Sequence, residues 1–164
     1  MILRQPLARL IVLLYAQSSS AAFDLFGLRK SIYNPRCAHA CREPISTAVL
    51  DCTSNLTGVT SPQCYATDDN FLQTLAYCIS RHCKVDIVEL EEFWKQYTTG
   101  WQISIPAPKY DYETAVQLAG IPTYHVSWGQ ELKHVSVIFE EDYEKSYASL
   151  SDWTDSENLH TRYA

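Results

Sequence analysis

The chain has 164 residues, a formal charge of −6 and six cysteines, enough length for one domain with extensions. The acidic balance argues against a nucleic-acid partner, which needs a basic footprint, and against docking on an anionic membrane surface.

The chain opens with the pattern of a secretory signal. Arg4 and Arg9 form a charged start, Leu10 to Ala16 a short apolar core, and Ser20 and Ala22 fit the small-residue rule for cleavage after Ala22. The apolar core is far shorter than the roughly 20 residues of a membrane helix. Removing residues 1–22 takes two arginines and no acids, so the charge moves from −6 to −8. The predicted organisation is a signal peptide over 1–22, a cysteine-rich domain over 23–139 and an acidic helical tail over 140–164.

Phe23 to Tyr33 is an apolar entry segment without clear period. Asn34-Pro35 predicts a helix start, with Asn34 as N-cap and Pro35 as first helical residue, running to about Arg42 and stopping before Pro44. Cys37 and Cys41 then lie one turn apart on one face and reach across to a partner element rather than bond each other. His39, between them, is expected to face solvent. Thr47 to Cys52 reads as an extended piece or a helical turn. Asn55-Leu56-Thr57 is a glycosylation sequon, in what reads as an exposed loop between Cys52 and Cys64.

The organising stretch runs from Ser61 to Cys83. Pro62 and Cys64 close a loop. Asp68, Asp69 and Asn70 suit the positive end of a helix dipole. Phe71, Leu72, Leu75, Ala76 and Ile79 then recur at three and four residues, one buried helical face, with Cys78 inside the helix and Cys83 at its end. Asp86 and Glu89 make a capping pattern for a second helix carrying Ile87, Leu90, Phe93, Trp94 and Tyr97, stopped at Gly100. Trp101 to Lys109, with two prolines, reads as a loop. Asp111 caps a third helix with Tyr112, Ala115, Val116 and Ala119 inward and Gly120 past its end.

Thr123 to Trp128 and Lys133 to Phe139 are rich in β-formers, and Gly129-Gln130 between them predicts a β-hairpin. In that register His125 and His134 sit directly opposite and could share a copper or iron ion, although no third ligand is evident. Glu140 to Ala164 carries Tyr143, Tyr147, Leu150 and Trp153 on one helical stripe. Its late acids, Asp152, Asp155 and Glu157, oppose the dipole and predict a helix that weakens or breaks near Trp153, with residues after about Glu157 loosely held.

Six cysteines in a secretory route, Cys37, Cys41, Cys52, Cys64, Cys78 and Cys83, read as three disulfides with 15 conceivable pairings. The expected arrangement has Cys37 and Cys41 bonding Cys78 and Cys83 crosswise, clasping two helices, with Cys52 joined to Cys64. Zinc ligation is the rival, and zinc thiolate sites are mostly intracellular. No nucleophile elbow and no glycine-rich phosphate loop occur, and no residue is assigned as catalytic or cofactor-binding. The class expected from the residues is α+β: a small, disulfide-stabilised, mainly helical domain with one C-terminal β-hairpin.

Several blocks together resemble the N-terminal ectodomain of the fungal ferric reductase transmembrane family. They are Cys37-Ala-His-Ala-Cys41-Arg42 with Leu50-Asp51-Cys52; Cys64-Tyr65-Ala66-Thr67-Asp68 with Phe71 to Cys78 and His82-Cys83; Leu90-Glu91 with Phe93-Trp94, then Pro122-Thr123; and Glu157 to Tyr163. The resemblance covers about residues 31–164, and the middle block is its most specific part. It implies a plasma-membrane metalloreductase passing electrons from cytosolic NADPH through FAD and haem to ferric or cupric chelates outside. The haem, FAD and NADPH sites of that family have no counterpart in residues 1–164, so no catalytic residue carries over. The expected function is therefore that of an extracellular domain in iron and copper uptake, inactive as a reductase by itself. It is membrane-bound only if the chain continues past Ala164. The alternative is a stand-alone secreted binding domain for a metal chelate or a surface partner.

Overall fold

The computed structural model describes residues 33–100 and 105–162, with side chains through 151. The signal peptide expected over 1–22 and the side chain of Trp153 lie outside the described residues.

Helix α1, Arg36–Arg42, tightens into a 3-10 turn at Glu43–Ile45, where Pro44 lacks the N–H needed to continue an α ladder. It starts one residue later than expected, with Pro35 as N-cap. Asn34 is diverted from capping because its side-chain amide donates to the Glu89 carboxylate. Pro62 and Cys64, expected to close a loop, lie in a short helix instead: α2, Pro62–Thr67, with the Ser61 hydroxyl accepting from the Cys64 N–H at 3.2 Å. Serine at the cap with proline at the first position is the local cause.

Helix α3, Asp69–His82, is the centre of the domain. Asp68 caps it, accepting from the Phe71 N–H at 2.8 Å, and Arg81 and His82 fall in the last turn, where the dipole favours cations. Phe71, Leu72, Leu75, Ala76 and Ile79 are all completely buried. The four larger side chains each gain about 1.5–3 kcal/mol from that burial. Helix α4, Ile87–Tyr97, is capped by Asp86, and helix α5, Tyr112–Ala119, by Asp111, each carboxylate accepting a backbone N–H at 2.8 Å. Trp94 anchors this layer: it is buried and donates its indole N–H to the Tyr110 carbonyl at 2.8 Å. Gly120 ends α5 at φ 58°, a left-handed position suited to glycine.

The predicted strands exist and pair, but not as a hairpin. Tyr124–Val126 (β1) and Ser136–Ile138 (β2) run parallel, with Tyr124 beside Ser136, His125 beside Val137 and Val126 beside Ile138. The turn at Gly129 forms, with φ 67° and the Gln130 N–H donating to the Ser127 carbonyl. It delivers the chain to Val49 rather than back along β1. The Val49 N–H donates to the Gln130 carbonyl at 3.3 Å, and the Leu132 N–H to the Val49 carbonyl at 2.9 Å. This bridge buries Leu132. The physical reason is burial. The parallel register sets Val126 beside Ile138, both buried, whereas the hairpin would set Val126 against exposed Lys133. Ser136 completes the docking of β2 on α3, its N–H donating to the Thr74 hydroxyl at 2.9 Å.

Helix α6, Glu140–Arg162, also corrects an expectation: it is continuous past Trp153. No glycine or proline interrupts it, and Asp152 and Asp155 fall in its middle, away from the C-terminal carbonyls that would repel them. Tyr143 and Leu150 are buried, and Arg36 of α1 donates to the Ser151 hydroxyl at 2.9 Å while lying over the Tyr147 ring. The result is a mainly helical α+β domain with one small sheet and three disulfides.

Candidate functional site

The disulfides define the most constrained region. Cys37 pairs with Cys83, Cys41 with Cys78 and Cys52 with Cys64, at Cα separations of 5.4, 5.8 and 5.6 Å. The first two link one face of α1 to the end of α3, lacing the helices in opposite directions. No cysteine is free, so no sulfur in the chain is available as a nucleophile or a zinc ligand. Three disulfides fit an extracellular or secreted protein. Among the described residues, no helix is long and apolar enough to cross a membrane.

His39, expected at the surface, is buried. Its ring lies against Phe93, Tyr97 and Tyr33, with centroid distances of 4.9, 5.1 and 5.5 Å. Cys37 and Cys41 turn one face of α1 to α3, and position 39, halfway round the helix, meets α4. Burial, with a smaller contribution from the nearby Arg42 cation, pulls its pKa down from 6.5 to about 4. His39 is therefore a neutral ring at pH 7, packing α4 onto the clasped pair.

His125 and His134 are not brought opposite each other. His125 sits beside Val137 and stacks on Phe139, while His134 stacks on Tyr124, with centroids 4.2 Å apart. Tyr124 and His125 are successive strand residues and point to opposite faces, so the two imidazoles are on opposite sides of β1. The antiparallel register that would have joined them is absent, and the expectation of a shared ion has no geometric basis here. Among the described residues, no three His, Cys, Asp or Glu side chains converge as a metal site.

Asn55 of the sequon lies in an exposed turn inside the Cys52–Cys64 loop, next to Leu56, whose side chain is 98% exposed. The acceptor is thus presented to solvent on a segment tied at its base by sulfur.

His82 is a position to which sequence reasoning, beyond placing it in a resembling block, assigned no role. Its ring stacks on Tyr143 at 3.8 Å between centroids, and its Nε2 lies 3.8 Å from a Glu140 carboxylate oxygen. This joins the end of α3 to the start of α6. Its only local signal was a histidine in the last turn of a helix.

No protein-family model, no curated protein and no solved structure matches the chain.

Proposed function

We propose that the chain is an extracellular domain resembling that of a plasma-membrane ferric or cupric reductase, acting in iron and copper uptake without being catalytic itself. In this reading it shields or feeds the outer electron-transfer site, and haem, FAD and NADPH belong to other parts of such a protein. The observation that carries it is the clasp. Two of the resembling blocks, Cys37 to Arg42 and Phe71 to Cys78 with His82-Cys83, are bonded to each other crosswise. Phe93 and Trp94 of a further block are buried in the same core. The resembling residues are thus structurally interdependent rather than scattered.

Two measurements test the reading. Disrupting the reading frame in cells that encode it should lower ferric-chelate reduction at the cell surface, and an undiminished rate overturns the proposal. The purified chain, mixed with NADPH and a ferric chelate, should leave the iron ferric; sustained turnover above the protein-free blank overturns its non-catalytic role. Stoichiometric retention of a ferric or cupric chelate on dialysis, with surface reduction unchanged by disruption, would favour the stand-alone secreted binding domain instead.

A further inference from the structure

A cavity of about 290 Å³ lies between the 3-10 turn, the β1–β2 connection and α6. Its floor includes Ser146, which is 3% exposed and whose Oγ has no hydrogen-bond partner. That is unusual for a serine within a helix. Ser151, on the same helix, donates to the Tyr147 carbonyl four residues back at 2.9 Å. Ser146 makes no such bond and lines the cavity instead. A buried hydroxyl left without a partner costs free energy, and a ligand that supplies one recovers it.

Trp128, 37% exposed, also lines the cavity, on a turn held by several hydrogen bonds. The Ser127 N–H donates to the Gln130 side-chain carbonyl at 2.9 Å, the Gln130 N–H returns to the Ser127 carbonyl, and the Ser127 hydroxyl donates to Asp142 of α6 at 2.6 Å. The backbone that carries the indole is thus fixed beside α6 before any ligand arrives, which lowers the ordering cost of binding. Leu150 adds apolar lining, and Ser149, Glu43 and Lys145 add one exposed hydroxyl, one acceptor and one donor. Among the described residues neither Glu43 nor Lys145 is in an ion pair.

We propose that this cavity binds a single neutral sugar ring, free or at the end of a glycan. Trp128 stacks on the ring's apolar face, Glu43 accepts from and Lys145 donates to ring hydroxyls, and another hydroxyl reaches Ser146. A flat aromatic wall with a few convergent polar groups in a cavity of this size suits one ring. A small zwitterion would satisfy Glu43 and Lys145 but leave Ser146 unpaired, whereas vicinal hydroxyls, each both donor and acceptor, satisfy all of them.

The test uses the full secreted chain carrying Asn55→Gln, so that its own glycan is not the bound sugar. Glucose, mannose, galactose and N-acetylglucosamine are the probes, followed by saturation-transfer NMR and calorimetric titration. At least one should bind saturably with a Kd in the millimolar range. Trp128→Ala should weaken it about tenfold or more and Trp128→Phe should largely restore it, as expected for an aromatic anchor. Ser146→Ala should weaken binding while leaving the fold intact by circular dichroism. Absence of saturable binding by all four sugars, binding indifferent to both Ser146→Ala and Trp128→Ala, or binding of free amino acids in place of sugars overturns the proposal.

Discussion

His39 carries the clearest pH signature of the molecule. Its folded pKa of about 4 lies below the ordinary 6.5, so below pH 6.5 the unfolded chain takes up a proton that the folded chain refuses. Stability from the neutral, buried ring is fully present above pH 6.5 and declines as pH falls towards 4. The whole span corresponds to about 3 kcal/mol at about 1.4 kcal/mol per unit. Asp68 works in the opposite sense, because burial raises its pKa despite the bond from the Phe71 N–H, so acid partly relieves its cost. The informative comparison is therefore between variants. Urea midpoints of the His39→Leu protein should fall less between pH 6.5 and 4.5 than those of the parent, and parallel slopes would refute the assignment. Asp111 is exposed, and bonds from Thr114 hold its carboxyl below the usual range. Asp111→Ala should lower stability at pH 7, as loss of an N-cap does, and the difference should shrink in acid as the carboxylate protonates.

At the scale of elements, helices α3, α4 and α5 were legible because their signals are local. Asp68, Asp86 and Asp111 each cap the helix that follows, and the apolar spacing from Phe71 to Ile79 maps directly onto a buried face. What was not legible depends on partners distant in sequence. The β-rich composition around Val126 and Ile138 identified strands, but their direction is set by Val49, which draws Glu131 and Leu132 away from β1. The burial of His39 depends on Phe93 and Tyr97, two turns of another helix, and so the histidine could not be placed from its own neighbourhood. The same dependence places Trp128 beside Ser146, a juxtaposition no local pattern announces. Helix α6 is held by side chains such as Leu150, packed over the 3-10 turn and α1. Leu150→Ala should lower stability by about 2–3 kcal/mol in denaturant titration. A loss below about 0.5 kcal/mol would mean that α6 is not integral to the domain.

Taken whole, the molecule is fastened by sulfur within residues 37–83 and packed around that stretch as far as Leu150. Mass measurement after alkylation without reduction should show no modified thiol, since every cysteine is bonded. Serine replacement of both Cys52 and Cys64, which are 12 residues apart, should cost about 3 kcal/mol by the chain-entropy estimate for a loop of that order. The three bonds are also strictly concentric: 52–64 lies inside 41–78, which lies inside 37–83, with separations of 12, 37 and 46. Closing an inner loop shortens the path the next pair must bridge, so each closure lowers the entropy cost of the one outside it. Oxidation should accordingly proceed like a zip from the centre outward. In acid-trapped samples of the reduced chain, the 52–64 bond should dominate the earliest one-bond species and 37–83 should close last. A population in which 37–83 forms first would show that α1 and α3 dock before the loop between them is organised. The same concentric plan has a covalent consequence: a protease that nicks the chain once anywhere between Cys52 and Cys64 releases nothing, because three disulfide bonds still hold the two pieces as one molecule until sulfur is reduced.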